Sequence, residues 1–178
     1  MQLQTENLTL VLPSTEEVLA RIESMSPADQ AEVSPEWVAR LRAAAEPDPW
    51  THGFTLVHRA DGVVIGSCGY TGPPDGDGVV EIAYAIDADY QGLGYATEAA
   101  LALVAYALER GEVRLVIAHT RPEPNASGRV LTKCGFRWIG EVVDPVDGLI
   151  WRWELQSAGA TGEIADGEDV LPEATRPG

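Results

Sequence analysis

The chain has 178 residues, 45% of them apolar, and a formal net charge of -16, which is enough material for one packed core and too little for two. That charge excludes nonspecific binding to nucleic acid or to an anionic membrane, since both need clustered Lys and Arg to displace counterions, and it leaves cationic partners open. No run approaches the ~18 uninterrupted apolar residues of a membrane span, and the opening MQLQTENLTL has neither the basic nor the apolar region of a secretory signal, so a cytoplasmic protein is expected.

Leu8 to Leu12 reads as a short first strand. Ser14-Thr15-Glu16-Glu17 places a hydroxyl ahead of glutamates, a helix start, and the helix runs to about Met25. Ser34-Pro35-Glu36 is a second start, with proline where its missing N–H costs nothing and with Trp37, Val38 and Leu41 as an apolar face. From Trp50 the period turns strand-like: Phe54 to His58 and Val63 to Cys68 flank Asp61-Gly62, and Val79 to Ile86 follows the turn cluster PPDGDG, which predicts an antiparallel meander. Ala96, Ala99, Ala100, Leu103, Val104, Ala107 and Leu108 recur at helical spacing as far as Gly111. Val113 to His119 is the next strand, Asn125 to Lys133 a short helix closed by Gly135, and Phe136 to Val143 and Leu149 to Leu155 a final pair about Asp147-Gly148. Residues 157–178 hold five acids, one arginine and no apolar period, and predict a disordered or loosely docked tail behind a single domain of residues 1–156. Cys68 and Cys134 sit in apolar surroundings and read as buried free thiols. Neither they nor the three histidines have metal-ligand spacing, so no metal is expected.

Between strand and helix stands QGLGYAT, Gln91 to Thr97. The first N–H groups of a helix lack carbonyl partners and carry the positive end of its dipole, so a glycine-rich loop at that mouth is suited to a phosphate and equally to an ordinary connection. A P-loop requires Gly-Lys-Ser/Thr where this chain has Gly94-Tyr95-Ala96-Thr97. A dinucleotide fold requires an opening βαβ unit, and here the loop follows an antiparallel meander.

EIAYAIDADYQGLGYATEAALALVAYA, followed by HTRPEPNASGRVLTKCGF, resembles the GNAT acyltransferases, in particular the branch of RimJ- and RimL-like ribosomal-protein N-terminal acetyltransferases. Gln91, Gly94 and Ala96 match the family's Gln/Arg-x-x-Gly-x-Gly/Ala loop. Ser127, Lys133, Gly135 and Phe136 match its second motif, while the family's usual asparagine falls on Pro124, one place before Asn125. The resemblance covers roughly residues 6 to 155. It implies an α/β fold with a mixed, mostly antiparallel sheet of six to seven strands, about four helices and splayed central strands. It also implies acetyl-CoA as co-substrate, with Gln91 among the residues that bind it: its pyrophosphate on the N–H groups of Gly92, Leu93, Gly94, Tyr95, Ala96 and Thr97, and its pantetheine between the strands Val79 to Ile86 and Val113 to His119, bonded by main-chain groups of Ala83, Tyr84 and Ile86. Asn125 either reaches the pantetheine amides or caps its helix.

Acyl transfer to an amine needs a proton acceptor, because an alkyl amine is mostly protonated near neutrality. Glu81 is the candidate. It matches the family's Glu-Ile-Gly-Tyr segment and shares a strand face with Val79, Ala83 and Ala85; the other reading is a solvent-facing glutamate. His119 is a second candidate base, or a capping or packing residue. For reprotonation of the thiolate, many members of the family use a tyrosine where this chain has Leu131, which leaves Ser127 through water, or solvent alone. Trp37 and Trp50 lie in the family's acceptor wall. The expected activity is direct acetyl transfer to an amine, a protein N-terminus or a small molecule, by a monomer or homodimer with no nucleic-acid or membrane partner. The alternative is an inactive acyl-CoA sensor of the same fold.

Overall fold

The computed structural model describes residues 1–157; apart from Ser157, the expected tail lies outside the described residues. The polar edge strand β1 (Gln2–Gln4) pairs with β2 (Leu8–Val11). Three helices follow: α1 (Thr15–Ser24), α2 (Pro27–Glu32) and α3 (Pro35–Ala43). Each starts at a serine whose hydroxyl accepts an N–H of the first turn, and at α1 Ser14 and Glu17 bond reciprocally, so four otherwise unpartnered donors are met by side chains. A single turn, α4 (Pro49–His52), precedes β3 (Phe54–His58), β4 (Val64–Tyr70) and β5 (Val79–Ile86), the antiparallel meander. A 3-10 turn (Ala88–Tyr90) leads through the glycine loop into α5 (Tyr95–Leu108). Then come β6 (Leu115–Thr120), α6 (Ala126–Lys133), β7 (Arg137–Asp144) and β8 (Gly148–Gln156).

The strands form one sheet in the order β1-β2-β3-β4-β5-β6-β8-β7, in which only β5 and β6 are parallel. Among the described residues there are therefore eight strands and six helices, more than expected. The additions have weak signals: β1 is three residues at an edge, α2 buries none of its residues and so shows no apolar period, and α4 is one turn.

The α5 helix lies across β5, β4 and β2. Its Ala99, Ala100, Leu103 and Ala107 are fully buried with Leu8, Leu10, Phe54, Leu56, Ile65 and Val80, so one sheet face is dry. Trp50 packs in that layer, its ring 4.5 Å from Tyr70 and 5.8 Å from Tyr106. It is half-buried against the core. Trp37 is half-buried on α3 and donates its indole N–H to the Thr51 carbonyl (2.7 Å). Cys68 and Cys134 are buried free thiols, and burial pushes both up, which leaves them unreactive.

Candidate active site

The parallel ladder between β5 and β6 is short. Val79, Val80 and Glu81 pair with Leu115, Val116 and Ile117, and the pairing ends there, while β5 stays with β4 to Ile86 and β6 stays with β8 to Thr120. Between the diverging halves a gap opens. The main-chain groups that face it follow from the β4 ladder: the Thr71 N–H donates to the Glu81 carbonyl and the Asp87 N–H to the Ile65 carbonyl. Odd-numbered residues of β5 therefore point their main chain at β4 and even-numbered ones at the gap. Tyr84 and Ile86 face the gap as expected. Ala83 does not, because its main-chain groups are used against Gly69, and this corrects the expectation for that residue.

At the far end of the gap is the glycine loop. Gly92 (φ 76°) and Gly94 (φ 90°) occupy left-handed backbone, and a Cβ on either would meet nothing within 4 Å. Space beside both is thus open toward solvent and not filled by protein. Gly94 is the N-cap of α5 and brings no side chain to it; the first helical bond is from Glu98 N–H to the Gly94 carbonyl (3.1 Å). The N–H groups of Tyr95, Ala96 and Thr97 are left at the mouth of the helix. Gln91 closes the loop on the strand by donating from Nε2 to the Ile86 carbonyl (2.8 Å). Leu93 projects outward, 62% exposed.

The opposite wall is α6. A cleft of about 380 Å³ runs between Tyr84, Ala85 and Ile86, the loop residues Gln91, Gly92, Gly94, Tyr95, Ala96 and Thr97, and the α6 residues Ser127, Arg129 and Lys133. Tyr84 crosses the gap and donates its hydroxyl to the Ser127 carbonyl (3.3 Å), and burial pushes its phenol up to about 12. Asn125 caps α6: Oδ1 accepts the Gly128 N–H (2.8 Å) and Nδ2 donates to the Arg121 carbonyl (3.4 Å). Of its two expected roles the structure displays the cap.

Where the ladder ends, Glu81 and His119 meet, Oε1 to Nδ1 at 2.8 Å, both side chains under a third exposed. The Thr71 hydroxyl donates to the other carboxylate oxygen of Glu81 (3.4 Å). Two residues expected as rival bases are one hydrogen-bonded pair. Asp144 stands near His119; the N–H groups of Asp147 and Val146 hold its carboxyl below the usual range, with a smaller contribution from the imidazole. Among the described residues no group of three or more His, Cys, Asp or Glu side chains is placed to hold a metal, and no helix is long and apolar enough to cross a membrane.

Residues 5–137 match the family model of the acetyltransferase (GNAT) domain. The chain belongs to that family. Among curated GNAT relatives, the uncharacterized N-acetyltransferase YjdG of Bacillus subtilis (strain 168) is 33% identical over 89 residues, which is 48% of this chain and 53% of that protein. The chain thus spans about half the length of that relative. A GNAT-family acetyltransferase from Bacillus anthracis superposes with a TM-score of 0.65 at 21% identity, over 88% of this chain and 99% of that one. RimL, a ribosomal L7/L12 alpha-N-protein acetyltransferase solved in complex with coenzyme A, gives 0.65 at 15% identity over 88% and 98%. At such identities the structures establish shared fold.

Within this GNAT domain three large polar side chains of the cleft carry no role in the sequence reading: Tyr90, Arg129 and Lys133. A signal for two of them exists. Arg129 and Lys133 are i and i+4 on a short helix and so share a face, but only the packing of α6 opposite the loop turns that face toward the cleft. Leu131 is buried at 1% exposure and supplies no proton.

Proposed function

We propose that this GNAT domain transfers the acetyl group of acetyl-CoA directly to an amine, with the Glu81–His119 pair as proton acceptor. The observation that carries the reading is the meeting of three features along one path: an uncapped helix mouth, a gap between parallel strands, and a carboxylate–imidazole pair where the strands rejoin.

The residues present suit the nucleotide thioester. Unpartnered N–H groups and open space beside Gly92 and Gly94 admit a diphosphate to the backbone, and Arg129 and Lys133 add the charge that the loop lacks. Main-chain groups of Tyr84 and Ile86 face the gap like the edge of a sheet and pair with an extended amide-bearing arm. Acetyl-CoA supplies the activated acyl carbon and a thiolate leaving group.

Glu81, as a carboxylate, accepts the Nδ1 proton of His119, which leaves Nε2 with the lone pair. The pair takes a proton from the incoming ammonium group. The freed nitrogen forms a bond to the acyl carbon, the carbon–sulfur bond breaks with its electrons going to sulfur, and the nitrogen's second proton passes through the Ser127 hydroxyl or water to the thiolate. N–H groups facing the gap from β5 stabilise the oxyanion while it exists. The acidic chain favours a cationic acceptor, such as a polyamine or a protein N-terminus.

Thiol release from acetyl-CoA across a panel of spermidine, N-terminal peptides, an aminoglycoside and free amino acids tests the reading. Amine-dependent release is expected with at least one cationic acceptor. Thermal stabilisation by NAD, with none by CoA or acetyl-CoA, would refute it.

A further inference from the structure

His58 and Asp61 have no part in the chemistry above, and neither lines the cleft. They are nonetheless joined to it. Asp61 Oδ1 lies 2.9 Å from His58 Nδ1, and His58 Nε2 lies 3.1 Å from the hydroxyl of Tyr95, the first residue of α5 and a wall of the cleft. The three side chains come from the β3–β4 turn, the end of β3 and the helix mouth. We propose that Asp61, His58 and Tyr95 act as one hydrogen-bonded strut that fixes the first turn of α5 for the diphosphate, which makes His58 and Asp61 positioning residues for acetyl-CoA.

The direction of the bonds follows from Asp61. Its carboxyl is held below the usual range first by the Val63 N–H (3.1 Å) and then by His58, so it is a carboxylate and only accepts. Nδ1 of His58 therefore carries a proton, and in the neutral imidazole Nε2 then accepts from the Tyr95 hydroxyl. Aromatic contact adds to the hold: the imidazole lies 5.4 Å from the Tyr95 ring and 6.1 Å from that of Tyr90, a second cleft residue. His58 itself is fixed in the sheet, opposite Leu8 and bonded through its main chain to Val63.

Such a strut matters because the first turn of α5 lacks a side-chain cap, and the loop before it is held by Gln91 alone among its side chains. Gly92 and Gly94 lend it backbone freedom, no side chain caps the helix, and each binding event must restrict what the free protein leaves loose. A second tether, Glu98 to Thr5, Asn7 and Leu8, secures the same helix one turn further on. Removal of the strut should therefore loosen the mouth without melting α5.

The inference rests on acetyl-CoA being the ligand of the cleft. Calorimetric titration with CoA and steady-state thiol release with the best acceptor test it on the full chain. His58→Gln and Asp61→Asn are expected to raise the CoA Kd and the acetyl-CoA KM by roughly 5- to 10-fold, the worth of one hydrogen bond, with kcat at saturating acetyl-CoA changed less than twofold. Tyr95→Phe, which removes one oxygen atom, should weaken CoA to a similar extent, and His58→Gln should add little in the Tyr95→Phe background. Wild-type affinity in His58→Gln and Tyr95→Phe, additive losses in the double variant, or a fall in kcat with KM unchanged would each overturn the strut. Failure of the wild-type chain to bind CoA would instead overturn the reading of the cleft, and the strut with it.

Discussion

Glu81 and His119 are 38 positions apart and touch because β5 and β6 run parallel just far enough to bring them level before diverging. In the proposed reaction the hydrogen-bonded pair shares one task, so the losses should not add. Glu81→Gln and His119→Ala are each expected to lower kcat by about 10²-fold with the KM for acetyl-CoA nearly unchanged, and the double variant to be no slower than the slower single one. Thiol-release kinetics on the four proteins give the answer; multiplied losses would mean separate roles. Their residue types and the chemistry pointed to both, but the pairing depends on a register between strands joined by a whole helix, which no local pattern encodes. Ala83 shows the same limit in reverse. Its side chain alternates as the sequence says, whereas the direction of its main chain is set by the bond from Thr71 to Glu81, a partner 10 residues away.

The α5 helix is where fold and site are the same object. Its apolar period packs the core, its first turn faces the cleft, and Gly94 joins the two functions in a backbone conformation that a side chain strains. A valine at Gly94 would also project into the space assigned to the diphosphate. Gly94→Val is expected to weaken CoA at least 10-fold by calorimetry while the protein stays folded, since the same Cβ meets no protein atom. Unchanged affinity would remove the loop from the site.

Four residues on from Gly94, Glu98 accepts from Asn7 N–H (2.6 Å), Asn7 Nδ2 (3.1 Å), Leu8 N–H (3.2 Å) and the Thr5 hydroxyl. Burial by itself would raise this carboxyl, but these donors outweigh it, and the value lies below the ordinary 4.5. A lowered carboxyl stabilises above its unfolded value and loses that contribution as the pH falls through the folded one. Glu98→Gln should therefore cost about 1–2 kcal/mol at neutral pH, read as a lower urea midpoint, and the gap to wild type should close as the pH falls through the lowered value of the folded carboxyl. A gap that persisted in acid would mean the site depends on shape and not on charge. The helix itself was legible from its alanine and leucine spacing. The tether was not, because it joins two polar residues of a tight turn to a helix 91 positions later.

At the scale of the whole molecule, charge opposes the proposed co-substrate. A net -16 repels a polyanionic nucleotide thioester and draws a cationic amine, and the cleft answers with two local cations, Arg129 and Lys133, the latter the chain's single lysine. The global field and the local pair differ in range. Added salt screens the long-range part strongly, since the Debye length is about 10 Å at 0.1 M, and touches the close contact less. Rising ionic strength should thus lower the KM for acetyl-CoA, or leave it level, while raising the KM for a cationic acceptor. Lys133→Glu removes the local answer and adds to the global repulsion. It should raise the acetyl-CoA KM by 10-fold or more at low salt and make that KM fall more steeply with salt than in wild type, with the acceptor KM little altered. The decisive comparison is the slope of log KM against log salt for the two substrates in the two proteins. Slopes of the same sign for both substrates would show that the overall charge does not sort them, and a Lys133→Glu variant with wild-type acetyl-CoA kinetics would place the phosphates elsewhere than against α6.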